Sequence, residues 1–397
     1  MGGLRRLDAR ERPADGGRRR GRRRHRRVPA RGPLSAAADI VVVGAGPWGL
    51  MTAWRAARAG ARVVVVDDGR PPAAHVAAGM LGPWAEADER ERPLHDLMVR
   101  ALDAWPATAD ALAADAARDP GLRRSGAVLG ASRPEHLGEV RRRHATLREW
   151  GEDPGWSSGS RLRAVEPGLA PSSAGGLDLP REHQVEPRAL LAALTAACDA
   201  AGVQRVPGAV ARISGRPARG VDLDDGAAVR AGRVVLAAGH AAGALAGRVP
   251  VRPVKGQVLR LRARPGRPLP IARTVRTPSV YLAPRDGEVV VGATMEERGD
   301  TDVTASAVAE LLEEALRAVP ECGDLLLAEA AAGLRPATPD GMPAVGADPD
   351  DELVWAVGGY RHGVLLAPLA AEVAVAAAAG GPVPAWASPL APERFAA

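Results

Sequence analysis

Residues 39–69 read DIVVVGAGPWGLMTAWRAARAGARVVVVDDG, and the order of features in this stretch decides the fold. Ile40–Val43 is a β-branched run suited to a strand buried on both faces. Gly44, Gly46 and Gly49 follow at G-x-G-x-x-G spacing, with Pro47 and Trp48 between the last two. Ala53 and Ala57 continue a helix, Gly60 ends it, and Val63–Val66 gives a second buried strand. Gly44 permits the tight turn, Gly46 lets the backbone approach a pyrophosphate, and Gly49 lets the helix pack close to the strand. Asp67 closes the second strand, where an acid accepts hydrogen bonds from ribose hydroxyls; Asp68 beside it is grouped with the same contacts. Strand, glycines, helix, strand and acid together predict dinucleotide binding. They do not separate FAD from NAD.

Outward from this unit the βαβ pattern stops, which argues against a simple nicotinamide dehydrogenase. Helical patterns cover residues 88–125 and 131–150, and a Pro-, Gly- and Ser-rich stretch from Asp153 to Pro180 reads as irregular connections. A helix is expected over 186–202, and strands near 206–213, 228–230 and 233–237. Alternation from Val251 to Ala293, with Asp286-Gly287 as a hairpin turn, predicts antiparallel strands. A helix over 305–319, the strand LVWAVGG from Leu353, and an Ala-rich helix over 365–379 complete the pattern. The expectation is an α/β (α+β) protein in which a substrate domain built on an antiparallel sheet interrupts a Rossmann-like domain twice. The nucleotide domain takes residues 36–90, 180–246 and 331–380, and the substrate domain 91–179 and 247–330. Residues 1–35 and 381–397 are tails.

Composition excludes other classes. No apolar run approaches the roughly 20 residues of a membrane span. Cys198 and Cys322 stand far apart, outside metal or redox spacing, so no metal site is expected and a reduced, cytoplasmic location fits. Residues 1–32 hold 13 Arg and three acids, a net +10, so the remaining 365 residues carry −4 of the total +6. The basic tail reads as an overhang without function. Its alternative, a nucleic-acid arm, finds no support in the rest of the chain.

Five segments carry a more specific signal: AHVAAGMLGPWAEADER from Ala74, VKGQVLRL from Val254, YLAPRDGEVVVGATMEE from Tyr281, AGLRPATPDGMPAVG from Ala332 and GGYRHGVLLAP from Gly358. Together with the nucleotide motif they resemble the D-amino-acid oxidase superfamily, and within it the glycine oxidases of the thiamine-biosynthesis type. The resemblance spans about Asp39 to Ala371. It implies FAD, held without a covalent link because neither cysteine lies in the C-terminal motifs.

The same resemblance places Ala78, Gly79 and Met80 along the flavin, and Gly359, Tyr360, Arg361, His362, Gly363, Val364 and Leu365 in the loop past its pyrimidine edge. Val210 falls where the family's backbone meets the adenine. Arg335 is the expected carboxylate clamp, since a guanidinium fixes a carboxylate by two parallel charge-assisted bonds. Tyr281 matches a position lining the substrate site, with a packing role on the sheet as its alternative. Arg361 is read either as a source of positive potential at the flavin or as structural. Lys255, the chain's one lysine, is weighed for the active site on its rarity. The implied reaction is oxidative deamination of glycine to glyoxylate, ammonia and hydrogen peroxide, feeding the thiazole of thiamine, with sarcosine or a D-amino acid as the alternative substrate. Expected partners are a small amino acid, oxygen, a thiazole synthase and a second copy of the chain, with no nucleic acid and no membrane.

Overall fold

A computed structural model describes residues 38–395. The Arg-rich tail expected over 1–35 lies outside the described residues.

The Val-rich runs pair as parallel strands because both faces are covered, one by helices and the other chiefly by the hairpin over 210–223, and no polar side chain needs an exit. Gln204–Pro207, Val63–Asp67, Ala38–Val43, Ala228–Leu236 and Val354–Val357 lie in that order, all parallel, with Ala344–Ala347 antiparallel at the edge. The strands expected at 228–230 and 233–237 are one strand. Its first half pairs with Gly220–Leu223, which joins Val210–Ser214 in a hairpin. Helix Pro47–Arg58 packs against Pro187–Ala200 and Ala367–Ala378 on one side of this sheet.

The second sheet has eight strands, in the order Leu326–Ala337, Arg252–Arg262, Glu288–Gly292, Tyr281–Arg285, Thr274–Arg276, Ala127–Gly130, Gly175–Leu179, Trp156–Ser158. Every pair is antiparallel except Thr274–Arg276 with Ala127–Gly130. Gly287, at φ 73°, closes the expected hairpin. Cross-strand register fixes two faces. Leu259, Leu261, Val275, Leu282, Val289 and Val291 point outward onto Leu311 and Ala315 of helix Ala305–Ala318. Val254, Gly256, Val258, Gly292, Tyr281, Arg276 and Arg335 share the inner face, where Ala283 and Val290 meet Ala78.

Three expectations are corrected. The boundary at 330/331 falls inside strand Leu326–Ala337, so Arg335 belongs to the second sheet by hydrogen bonding. Helix Arg92–Ala116, assigned to the substrate domain, buries Leu97, Met98, Leu102 and Trp105 in the core of the nucleotide-binding half. Its apolar stripe matches helices Pro187–Ala200 and Ala367–Ala378, and chain order had hidden that match. The stretch 153–180 is ordered by short strands and helix Gly159–Val165, with Glu166 accepting the amides of Ala272 and Arg273 at 3.0 and 2.8 Å. Among the described residues no helix is long and apolar enough to cross a membrane.

The nucleotide-motif glycines differ in why they lack a side chain. A Cβ on Gly49 would overlap the Gly44 carbonyl oxygen, whereas one on Gly46 would meet no protein atom closer than 3.7 Å. Gly49→Ala is therefore expected to cost about 1–3 kcal/mol of stability. Gly46→Ala should leave the stability of the cofactor-free chain nearly unchanged. Denaturant unfolding of both variants without cofactor checks this; equal losses would refute it.

Candidate active site

The open side of Gly46 faces the start of helix Pro47–Arg58, whose first turn carries no acidic residue and no capping side chain. Pro47 has no amide hydrogen, so Trp48 and Gly49 carry the free first-turn N–H groups that suit a pyrophosphate. Asp67 Oδ2 accepts the Ala45 amide at 2.8 Å and its Oδ1 the Gly69 amide at 2.8 Å. The acid thus steadies the glycine turn as well as ending the strand. Its carbonyl accepts the Gly208 amide at 2.9 Å, which brings Val210 to the same end of the sheet. Asp68 is turned to Arg70, 3.4 Å away, and shows no contact with the glycine turn.

Trp48 was read only as filling a variable position of the motif. Its indole Nε1 donates to the Gly363 carbonyl at 2.6 Å, and a Cβ on Gly359 would lie 2.8 Å from its ring. From helix Arg92–Ala116, Trp105 Nε1 donates to the Leu365 carbonyl at 2.9 Å. Two indoles therefore clamp the 359–365 loop by its backbone. Pattern reading misses this because the acceptors are carbonyls more than 250 positions away. Val364 and Leu365 are buried, and Tyr360 is held at φ 40° with its amide on the Pro336 carbonyl at 3.0 Å. Gly79, at φ 66°, is explained by packing. Its carbonyl accepts the Val185 amide at 2.9 Å, and a Cβ would overlap Val185 and crowd Pro187. The turn it makes presents Ala78 and Met80 to Ala283, Val290 and Tyr281.

Arg335 and Tyr281 stand on strands separated by two others, yet they lean toward one another. Arg335 crosses Gly256 and Tyr281 crosses Gly292, at places where any side chain would overlap them. Arg335 Nη1 donates to the carbonyls of Lys255 at 3.2 Å and Thr294 at 3.0 Å. No ion pair among the described residues involves Arg335, so its remaining donors are available to an anion. Burial pushes the Tyr281 hydroxyl's pKa up, against the opposing pull of Arg335 and Arg276, so the phenol stays a donor. Lys255 faces the other way. Its side chain is fully buried on the outer face and bonds Asp300 Oδ1 at 2.5 Å, and only its carbonyl serves the site.

Glu86, quoted in a motif but not singled out, joins the two halves. One carboxylate oxygen accepts from Arg276 of the second sheet and the other from Arg361 Nη2 at 2.6 Å. Burial alone would raise its pKa, but the two guanidinium groups hold it well below the ordinary carboxylate range. Of the two roles weighed for Arg361, the ion pair with Glu86 supplies the structural one, and it raises the Arg361 pKa further. His362 is buried beside this cluster and stays neutral, its pKa lowered by burial to about 4. Glu182 supports the segment that carries Glu86: its Oε1 accepts the Ala85 amide at 2.7 Å. Burial raises its pKa to about 7, with Arg276 opposing.

A carboxyl whose folded pKa lies above its unfolded value destabilises the fold as pH rises from the unfolded to the folded pKa. Glu182 therefore predicts a loss of up to about 3 kcal/mol between pH 4.5 and 7. Glu182→Gln, which keeps an acceptor for Ala85, should flatten that part of the stability profile. Urea midpoints measured from pH 4.5 to 8 test this; an unchanged slope would exclude Glu182 as its source.

Comparison with known proteins bears on this geometry. The sequence matches the DAO family, described as FAD-dependent oxidoreductases, over residues 39–377. It is 34% identical over 346 residues to the bifunctional protein ThiO/ThiG of Nostoc sp., an alignment covering 84% of this chain and 52% of that protein. The chain thus spans about half the length of the bifunctional relatives it matches. It is 31% identical to the glycine oxidase of Geobacillus kaustophilus, over 83% of this chain and 90% of that one. The crystal structure of glycine oxidase from that organism superposes with a TM-score of 0.83 at 30% identity, covering 89% of this chain and 98% of that chain. The Gly46 cradle, the free helix terminus and the clamped 359–365 loop fit the FAD that this family binds, and the chain belongs to the DAO family of FAD-dependent oxidoreductases.

Proposed function

We propose that the protein is an amino-acid oxidase that converts glycine to glyoxylate, ammonia and hydrogen peroxide. The observation that carries this reading is the convergence of Arg335 and Tyr281 over Gly256 and Gly292, on the sheet face that meets Ala78 and Met80. The match to a glycine oxidase over most of both chains supports it.

FAD, held by the Gly46 turn, the helix start at Trp48 and Gly49 and the 359–365 loop, would supply the two-electron acceptor for the substrate's Cα–H and the route for those electrons to dioxygen. The chain does the rest. Arg335, already oriented by two backbone carbonyls, presents its remaining donors to the α-carboxylate. Tyr281 donates its hydroxyl to the same group, and fixing the carboxylate sets where Cα points. Ala78, Ala283 and Val290 give the face a dry, apolar floor. The imine left on the substrate hydrolyses to glyoxylate and ammonia. Because ThiO/ThiG relatives carry two named functions on one chain, we also propose that the imine is passed to a partner that builds the thiazole of thiamine.

Anaerobic glycine added to the purified flavoprotein should bleach the visible flavin band, and air should restore it with release of peroxide. A yellow protein inert to glycine but bleached by sarcosine or D-alanine would overturn the glycine assignment. Arg335→Lys, which keeps charge but loses the planar fork, should lower kcat/KM about 10- to 100-fold, and Tyr281→Phe about fivefold. A loss in Arg335→Lys no larger than that in Tyr281→Phe would remove Arg335 from the clamp.

A further inference from the structure

The inner face of the second sheet carries a second guanidinium that the clamp does not use. Arg276 is the direct cross-strand partner of Tyr281, so the two side chains share a face. Arg276 is 8% exposed, and among the described residues only its Nη2 has a partner, Glu86. Nε and Nη1 are buried with no acceptor among those residues. Buried donors left unpaired are costly, so these two are available to an anion that enters beside Tyr281. Arg260 and Arg285 on the same face also keep unpaired nitrogens. They lie farther from Tyr281, against Glu288 and Glu329 in one case and Glu186 in the other.

The Tyr281 strand lies between the Arg276 strand and the strands that carry Gly292, Gly256 and Arg335, so a guanidinium group stands on either side of it along the sheet. Charge points the same way. Arg276 and Arg361 share a single strongly ionised carboxylate, Glu86, and Arg335 has no carboxylate partner among the described residues. Glu182 and Glu91 are further carboxyls beside the cluster, and burial raises the pKa of both, that of Glu182 to about 7. Arg143, which donates to the Ala85 carbonyl, is paired with Glu139 at 3.4 Å and leaves this balance unchanged. One substrate carboxylate on Arg335 therefore leaves the wall beyond Tyr281 positive.

We propose that Arg276 is a specificity-determining residue that binds a second carboxylate of the substrate, so that the preferred substrates are small amino acids carrying two carboxylates. This rests on the amino-acid oxidase reading above. The second arm takes no part in the bond changes. It bonds to Arg276 donors that glycine leaves empty, while Arg335 and Tyr281 keep the first carboxylate. The arm reaches Arg276 either from nitrogen, as in N-(carboxymethyl)glycine, or from Cα, as in D-aspartate.

The test compares kcat/KM, by peroxide release from the holoenzyme, within two pairs of near-equal size: N-(carboxymethyl)glycine against N-isobutylglycine, and D-aspartate against D-leucine. The dianionic member of at least one pair is expected to be favoured tenfold or more, and the favoured pair shows which atom carries the arm. Arg276→Gln should bring that ratio to within twofold of unity. Arg276→Lys should keep part of it, which also covers failure of the Gln variant to fold. Because losing Arg276 also disturbs Glu86, the ratio is the readout rather than the absolute rate. A second measurement needs no turnover: malonate should perturb the flavin spectrum at concentrations at least tenfold lower than acetate, lose that advantage in the Gln variant and keep part of it in the Lys variant. Ratios near unity in the parent protein, or a dianion preference that survives both substitutions, would overturn the proposal even if glycine is oxidised. Failure of every amine and amino acid to reduce the flavin would instead overturn the oxidase reading beneath it.

Discussion

The carboxylate of Glu86 accepts from two arginines that arrive from opposite halves of the molecule, and the site is organised around that shared acceptor. Arg276 comes from the middle of the second sheet, and Arg361 from the loop after the last strand of the first. With Glu86 absent, two guanidinium groups would face each other in a largely buried space, and breaking a buried charge set in this way is strongly destabilising. The acid is itself fixed by its neighbour, since the Ala85 amide is held by Glu182. Arg361 belongs to a loop whose carbonyls are gripped by Trp48 and Trp105. A chain of direct bonds thus runs from helix Pro47–Arg58, through the 359–365 loop and Glu86, to the strand beside Tyr281. This chain of bonds links the two sheets, as do the ion pairs Arg188–Glu329 and Arg285–Glu186.

Absent side chains matter to the site as much as charges do. Gly256 and Gly292 lie on the strands between Arg335 and Tyr281, and each clears a path for one long polar side chain to lie along the sheet. In an ordinary sheet, side chains stand roughly perpendicular to the surface and two groups so far apart do not meet. The register across four strands, rather than proximity in sequence, makes the pair. Gly46 and Gly49 divide the work in a similar way at the other end: one serves the ligand and the other the helix–strand contact.

The nucleotide-binding unit was legible in the sequence because each of its parts has a local signature, from the β-branched runs to the glycine spacing. The antiparallel hairpin at Asp286-Gly287 was legible for the same reason. Helix Arg92–Ala116 was assigned to the wrong half because an amphipathic stripe states that a helix is buried and not against what. The boundary near residue 330 failed because Leu326–Ala337 is a single long strand whose composition drifts from Leu to Ala and Gly. Lys255 drew notice by rarity, yet alternation along its strand turns it outward, and the parity of Val254 and Gly256 held that information. Glu86 and the indoles of Trp48 and Trp105 act through partners far away in the chain, and such pairings leave no pattern in a single sequence.

The buried position of Lys255 has a consequence for the protein's chemistry with carbonyl compounds. Fifty-two of the 53 basic side chains are arginines, and the one lysine is fully enclosed and paired with Asp300. Aldehydes and keto acids condense with unprotonated ε-amines, whereas a guanidinium stays protonated at physiological pH. The protein therefore exposes no lysine for such carbonyl compounds to modify. The surface keeps its positive charges for solubility and ion pairing while remaining a poor target for Schiff-base damage by whatever leaves the active site.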